Sequence, residues 1–429
     1  MSVRTRFAPS PTGQVHIGNI RAAIYNWLFA RHHGGQFLLR VEDTDRERST
    51  PEAVQTVLNA MDWLGLTIDE PALYQSTQKA AHLAAAEDLL RRGLAYKLDK
   101  GGTGKGEAIL FKMPGTDMAY TDLIKGPLKK EAKDLQDFVI VRSDGNPVFH
   151  LGNVVDDITM KITHVIRGDD HVENTFRHLA LLQALGADLP QYAHLPMIVN
   201  AQGKPYSKRD GAAYVGDFRT QGFTADALFN YVALVGWSPG GDRELMTRDE
   251  MVQLFSLDRV QAKAGQFDVK KLAKMNVWYL QQTPDEEWAR RFEHAIRGSS
   301  SDPAFPAILA LMKPRVRNWT EIAAAVYFFR DDFPIDRAAR DKVMGEPAAR
   351  ELLTQARADL AALPAFDAPA IEAALCALAD ARGLRHVDVK QPVRVAVTGA
   401  AGGPDLAQLL AILGRERALA RIDETLGTP

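Results

Sequence analysis

The stretch from Arg6 to Asn19, RFAPSPTGQVHIGN, constrains this chain more than any other part of its 429 residues. A short apolar strand runs into two prolines and a glycine, which end it, and a helical pattern begins at once. Such a joint sets the amides of a helix N-terminus a dozen residues into the protein, unpaired and facing outward. A phosphate can sit on them, within the positive end of the helix dipole, with His16 beside it as a donor. The same residues suit an ordinary strand-turn-helix joint in which Pro9, Pro11 and Gly13 only shape a loop and His16 is a surface histidine. Taken alone, the stretch leaves both readings open.

At this length one core is not enough, and usual domain sizes suggest roughly three or four domains. Hydrophobic residues at 46% and charged residues at 25% fit a soluble globular protein. The formal net charge of -2 means that any nucleic-acid contact must come from local basic patches. The single cysteine, Cys376, excludes disulfides within the chain and a cysteine-rich zinc site; its apolar helical run, AIEAALCALADA, suggests a core position. MSVRTRFA opens directly in a strand, and no run approaches the ~18 apolar residues of a membrane span. A cytoplasmic protein without membrane contact is the expectation.

Residues 3–8 and 36–41 read as buried strands, and Ile20, Ile24, Trp27 and Leu28 keep helical spacing between them until Gly34. That is a β-α-β unit. A second helix follows Ser49-Thr50-Pro51-Glu52, where the Ser-to-Glu spacing suggests a capping box, with Val54, Val57, Leu58 and Met61 as its apolar face. From about 99 to 133 the texture turns rich in Gly and Lys, as in an insertion between two halves of a sheet domain. α/β signals resume at 137–200, and after about 215 the chain is mainly helical, with ADALFNYVALVGW its clearest apolar segment. GSSSDPAFP near 298–306 and QPVRVAVTGAAGGP near 391–404 read as linkers or loops. Residues 301–429 carry 16 Lys plus Arg against 17 Asp plus Glu, so there is no basic tail.

A second phosphate candidate is GKPYSKRDG, residues 203–211, where Lys204, Lys208 and Arg209 crowd a glycine-bounded loop. Positive charge there suits a pyrophosphate leaving group, whose charge grows in the transition state. By itself the loop reads as a solvated basic turn. Paired with the first motif it reads differently, because loops after the first and last strands of a split sheet can close on one nucleotide at the strands' carboxyl ends.

FAPSPTGQVHIGN, RVEDTDRERST, GNPVFHLGNVVDD, THVIRGDDH and YSKRDG, in that order, resemble the glutamyl-tRNA synthetases, class I aminoacyl-tRNA synthetases with HIGH and KMSKS signatures. The resemblance continues through LFNYVALVGWSP at 228–239, FDVKKLAKMN at 267–276 and PVRVAVTGAAGGPDLAQLLAILGRERALARI. It implies an α/β fold: a Rossmann-like catalytic domain in two halves (1–95 and 137–215) split by a shortened acceptor-binding α+β insertion (96–136). A stem-contact domain (216–300) and an all-α anticodon-binding region (301–429) would follow.

The resemblance also implies site residues. His16 and Lys208 fall at the catalytic signature positions, with Pro9, Gly18, Asn19, Asp170, Ser207, Lys208 and Arg209 toward ATP. Arg6, Ser10, Glu42, Phe149, Asn153 and Arg167 fall where the family holds glutamate. A buried carboxylate needs the paired hydrogen bonds of arginine, and a substrate ammonium needs an acid such as Glu42. Glutamate and ATP·Mg²⁺ would give glutamyl-adenylate and pyrophosphate, and the terminal 2′-hydroxyl of the tRNA would take the acyl group. Positioning and charge stabilisation carry such a reaction, so no general base is assigned. Family behaviour implies that cognate tRNA must be present before activation, and that the protein is a monomer partnered by tRNA(Glu). Whether tRNA(Gln) is also accepted is left open. Arg315, Arg317 and Arg330 are candidates for tRNA contacts, although a solvated helix face accounts for any one of them.

Three positions depart from the family pattern. Pro205 stands at the first KMSKS position, with Lys204 one residue earlier. Phe149 stands where relatives commonly carry tyrosine, which removes a hydroxyl from the glutamate pocket. The region after GLAYKLDK lacks a cysteine-bearing stretch, so no structural zinc is expected. A truncated paralogue that glutamylates a tRNA base would end near the catalytic domain, and the 190 residues after 239 argue against it. A tRNA-binding relative without catalysis would not need His16, Glu42, Arg167 and Lys208 together, and a glutaminyl enzyme would carry a β-barrel rather than a helical C-terminal region.

Overall fold

The computed structural model describes residues 2–45, 47–99, 106–296 and 303–427. Arg46, the Gly/Lys-rich run 100–105 and residues 298–302 of the expected linker lie outside the described residues. The chain divides into two compact units, Met1–Asn276 and Val277–Pro429.

In the first unit β1 (Arg4–Phe7), α1 (Ile17–His32) and β2 (Gln36–Val41) form the predicted β-α-β unit, with the two strands parallel. Gly34 ends the helix connection in left-handed backbone at φ +59°, where a side chain would be strained. The next helix, α2 (Pro51–Trp63), buries Ala53, Val57, Ala60 and Met61. Its cap is Thr50, which accepts from the Ala53 amide at 3.3 Å; the expected Ser49 capping box does not form. Pro51 takes the first helical position, so the cap falls one residue later than the Ser-to-Glu spacing suggests.

β3 (Leu73–Tyr74) extends the sheet beyond β2, and α3 (Lys79–Arg91) leads to β4 (Ala95–Leu98) and β5 (Ala108–Phe111). The hairpin β6 (Met118–Asp122) and β7 (Gly126–Lys130) follows, then β8 (Phe138–Val141), which pairs antiparallel with β5. After α4 (Phe149–Thr159) come β9 (His164–Gly168), α5 (Val172–Ala184) and β10 (Gln191–Leu195), with β9 and β10 parallel. Beside β1, Thr163 donates to the Arg4 carbonyl at 3.0 Å and its hydroxyl accepts from the Arg4 amide at 2.8 Å. The strands thus lie in the order β3-β2-β1-β9-β10-β6-β7. Segment 96–136 is sewn into this sheet through β6, which runs parallel to β10 at Tyr192 and Asp122.

A short ladder joins β11 (Ile198–Val199) to β12 (Gly265–Gln266). Between them come α6 (Val215–Thr220), α7 (Ala225–Leu234) and α8 (Arg248–Leu254), the last two packed against α1. Every residue from 227 to 233 is buried, which explains the unbroken apolar run: α7 meets α1 through Trp27 and Phe229, edge-on at 5.7 Å. The Tyr25 hydroxyl lies 3.0 Å from the carbonyls of Ala233 and Val235. This packing fixes the back of the helix whose front end His16 caps.

The second unit is helical, around a core that includes Trp288, Phe292, Leu353, Ile371, Val393 and Leu410. Two expectations change here. Residues 391–398 are not a loop: the helix His386–Thr398 runs through Pro392, and the chain turns only at Gly399, at φ +70°. Apolar burial of Val389, Val393 and Val397 outweighs the amide that the proline cannot supply. Cys376 is only half-buried, because its helix (Ala368–Ala381) turns Ile371, Leu375, Leu378 and Ala379 inward and leaves 376 off that stripe. Arg315 and Arg317 are exposed, whereas Arg330 donates two hydrogen bonds to Asp332, at 2.8 and 2.7 Å. No described helix is long and apolar enough to cross a membrane.

Candidate active site

A cleft of about 820 Å³ opens at the carboxyl ends of β1, β9 and β10. Eleven of the residues singled out from the sequence line it: Arg6, Pro9, Ser10, His16, Gly18, Asn19, Glu42, Phe149, Asn153, Arg167 and Asp170. They come from four elements and the loops between them, and only the sheet order brings them together.

His16 is the N-cap of α1, and its Nδ1 accepts from the Gly18 amide at 3.1 Å. The Ile17 amide donates to the Ala213 carbonyl at 2.9 Å. The helix start therefore does not offer a full set of free amides, as the sequence suggests; two are already satisfied by the cap and by the loop that follows the basic motif. What remains is a defined donor. With Nδ1 accepting, the proton sits on Nε2, which meets the Tyr206 backbone; burial outweighs that hydrogen bond and lowers the pKa of the ring, so the imidazole is neutral at pH 7.

The two signature segments meet through backbone. Val215 donates to the Val15 carbonyl at 3.0 Å, and His16 and Tyr214 form an isolated bridge with their rings edge-on at 5.9 Å. Lys208 Nζ lies 5.7 Å from the centre of the Tyr214 ring. Ser207, Lys208 and Arg209 do not line the cleft; the wall ends at Pro205 and Tyr206. Asp210 accepts from both the amide and the hydroxyl of Ser207, at 2.9 and 3.1 Å, and tightens that loop into a single turn. Pro205 bridges Val199 across the hairpin, and Lys204 is exposed.

At the other end of the cleft the charges are arranged in two layers. Asp157 accepts from Arg6, at 3.1 Å, and from Arg40. Burial would raise Asp157, but the two guanidiniums outweigh it and hold its pKa below the usual carboxylate range. Arg40 also donates to Glu42 at 3.1 Å, and Asn153 Nδ2 donates to the same Glu42 oxygen at 3.0 Å. That leaves the second Glu42 oxygen without a partner among the described residues. Asn153 Oδ1 is likewise buried and unpartnered. Two acceptor atoms on the cleft wall are thus left without a hydrogen-bond donor among the described residues.

Arg167 is the opposite case. Its guanidinium is buried and makes no ion pair among the described residues; its partners are His194 Nε2 and His178 Nδ1 at 3.3 Å, Thr175 Oγ1 at 2.8 Å and the His171 carbonyl at 3.4 Å. Burial lowers its pKa to about 10, so it stays charged at pH 7. A buried cation without a carboxylate is costly unless an anion joins it, and this one lines an open cleft.

Sequence reasoning missed the histidines around it. His178 and His194 are buried, and His150 lies 3.2 Å from His178. A signal was present: five of the eleven histidines fall between 150 and 194. Burial drives His178 well below its ordinary pKa and His150 down to about 4, with Arg167 and neighbouring cations adding to the effect. In the unfolded chain they titrate near pH 6.5, as free histidines do. Between those values only the unfolded state takes up the protons, so stability is full above about pH 6.5 and declines as the pH falls below it. The melting temperature should drop from pH 7.5 to pH 5.5, above the range of ordinary carboxylates, and His150→Gln should drop less over the same interval.

The chain is similar to known proteins along nearly its whole length. The family model described as tRNA synthetases class I (E and Q), catalytic domain, matches residues 2–103 and 98–274, and an anticodon binding domain model matches residues 271–426. The chain is 40% identical to glutamate--tRNA ligase 1 of Gluconacetobacter diazotrophicus, over 98% of this chain and 99% of that one. It is 41% identical to the glutamate--tRNA ligase of Xanthomonas axonopodis pv. citri, over 99% of each. The crystal structure of a glutamate tRNA ligase from Elizabethkingia meningosepticum in complex with its amino acid superimposes over 100% of both chains, with a TM-score of 0.89 at 30% identity. With a class I catalytic domain, a helical anticodon-binding domain and full-length relatives, the chain belongs to the glutamate--tRNA ligase family of class I aminoacyl-tRNA synthetases.

Proposed function

We propose that this protein joins L-glutamate to the 3′ end of tRNA(Glu) through a glutamyl-adenylate, consuming ATP with Mg²⁺ as its counterion. The observation that carries the amino-acid part is the cleft's complementary ends: Arg167 is a buried cation without an ion-pair partner among the described residues, and the second Glu42 oxygen and Asn153 Oδ1 are acceptors left without a donor among them. A zwitterion with a second carboxylate fits both ends. In this reading Arg6 and Arg167 hold carboxylates, Glu42 and Asn153 take the ammonium, and Ser10 and Phe149 close the pocket.

ATP would lie along Pro9, Gly18 and Asn19, with Asp170 toward the nucleoside. His16 Nε2–H would donate to the phosphates, and Lys208, with Ser207 and Arg209, would close over the pyrophosphate as the loop moves toward the cleft. The α-carboxylate attacks the α-phosphorus, pyrophosphate leaves, and the ribose hydroxyl of the tRNA then takes the acyl group from AMP. Positioning and charge stabilisation carry both steps. The single cysteine supports a protein without structural zinc, and the embedded segment 96–136 is read as a short acceptor-side element. The stem-contact part, 216–300, and the anticodon-binding part, 301–429, are read as following it in a cytoplasmic monomer.

The test is charging of tRNA(Glu) and tRNA(Gln) transcripts with radiolabelled glutamate. Glutamylation of tRNA(Glu) is the expected result, and absence of charging by protein that binds tRNA would overturn the proposal. The tRNA(Gln) arm decides whether the anticodon-binding region accepts one tRNA or both.

A further inference from the structure

The Arg167 guanidinium is aimed by a hydrogen-bonded chain that begins in the segment read from the sequence as an insertion. Asp122, at the end of β6, is buried, and its Oδ1 accepts from the amides of Ile124 and Lys125 at 2.9 Å and of His194 at 3.3 Å. Its Oδ2 lies 2.6 Å from His194 Nδ1. The far side of the same ring, Nε2, lies 3.3 Å from Arg167 Nε and 3.1 Å from the Thr175 hydroxyl. Each link fixes the next. Three amides claim one carboxylate oxygen, the other oxygen requires Nδ1 to carry the proton, and that leaves Nε2 as an acceptor for the arginine. Burial keeps His194 below its ordinary pKa despite the carboxylate, so a second ring proton does not spoil the arrangement.

We propose that Asp122 and His194 are positioning residues for substrate recognition: by setting the tautomer of His194 they orient Arg167 toward the substrate carboxylate, and so set glutamate affinity and selectivity over uncharged analogues. This rests on the reading of Arg167 as a glutamate-binding residue. Neither residue lines the cleft, so neither touches substrate. The pair also links the β6–β7 hairpin to the pocket, since Asp122 is the only side chain of that hairpin hydrogen-bonded to His194 among the described residues.

Asp122→Asn tests the tautomer directly. The three backbone amides hold the asparagine oxygen, so its NH₂ faces Nδ1 and moves the ring proton to Nε2, which then opposes the Arg167 N–H. The expected result is a glutamate KM raised on the order of 10- to 100-fold with the ATP KM within about twofold of wild type. His194→Gln, which places an acceptor where Nε2 stood, should stay near wild type, and adding Asp122→Asn to it should cost nothing further. ¹⁵N NMR of histidine-labelled protein should show Nδ1–H for His194 in wild type and Nε2–H in Asp122→Asn. Should Asp122→Asn not fold, His194→Leu, without an acceptor, against His194→Gln makes the same decision. An unchanged glutamate KM, an equal rise in both KM values, or additive losses in the double variant would overturn the proposal. If wild type fails to charge tRNA, the function reading falls while the NMR arm still decides the positioning chain: an unmoved proton sinks it and a moved one sustains it.

Discussion

Arg167→Lys is expected to cut kcat/KM for glutamate by roughly 10²- to 10³-fold in tRNA-dependent ATP–pyrophosphate exchange, with the KM for ATP unchanged. The substitution keeps the charge and so does not test electrostatics alone. It removes a planar fork whose nitrogens are already divided between His194, His178, Thr175 and the His171 carbonyl. A lysine ammonium in that pocket can satisfy some of those acceptors or reach the substrate, but it cannot do both in the same plane. One N–H is left for the substrate, and its charge-assisted hydrogen bond, with the ones that hold the fork in place, sets the scale of the loss at about 1.5–3 kcal/mol for each bond disrupted. The effect belongs in KM and kcat/KM for glutamate, because the interaction already exists in the ground state. Glutamine should discriminate less well from glutamate in the variant than in wild type. A glutamate kcat/KM within about threefold of wild type would remove Arg167 from the binding site.

The elements that position this site were legible where local rules decide them. β1, α1 and β2 follow from apolar strands, helical spacing and Gly34, and all three appear within a residue or two of expectation. The cap of α2 shows the limit of such rules, since Ser49 and Thr50 both suit the spacing and only Pro51 at the first helical position separates them. Pro392 shows another. A proline in a Gly-rich sequence reads as a break, yet burial of three valines along one helix face overrides it.

The site was legible in its lining but not in its wiring. Arg6, Glu42, Asn153 and Arg167 were named from motif positions, and the sheet order brings them to one cleft. Which of them already have partners is a tertiary fact: Arg6 is engaged by Asp157, and Arg167 is left without a carboxylate. Asp122 sits 72 positions from His194 in sequence, and nothing local in TDLIKG or YAHLP announces that they meet. The pairing exists because β6 runs beside β10, a register that no short-range pattern fixes.

His16 is expected to give the largest separation between stability and rate. The ring does two things at once: Nδ1 caps α1 through the Gly18 amide, and Nε2–H, which also meets the Tyr206 backbone, is the donor that the ring presents at the cleft wall. His16→Ala removes both, so it should lose about 1 kcal/mol of stability for the cap along with the rate. His16→Asn keeps an oxygen of the kind that caps helices, while its shorter amide places no N–H where Nε2–H stands, so the melting temperature should stay within a degree or two of wild type. Its rate should still fall by about 10²- to 10³-fold, the usual cost of losing one donor aimed at developing charge. The loss should lie in kcat for adenylate formation, because a hydrogen bond that strengthens as the phosphates gain charge does not appear in ground-state binding. Pre-steady-state measurement of adenylate formation in the presence of tRNA(Glu) makes the distinction. If His16→Asn forms adenylate at the wild-type rate, His16 is a helix cap only, and the phosphate contact must be sought in the basic loop at 204–209.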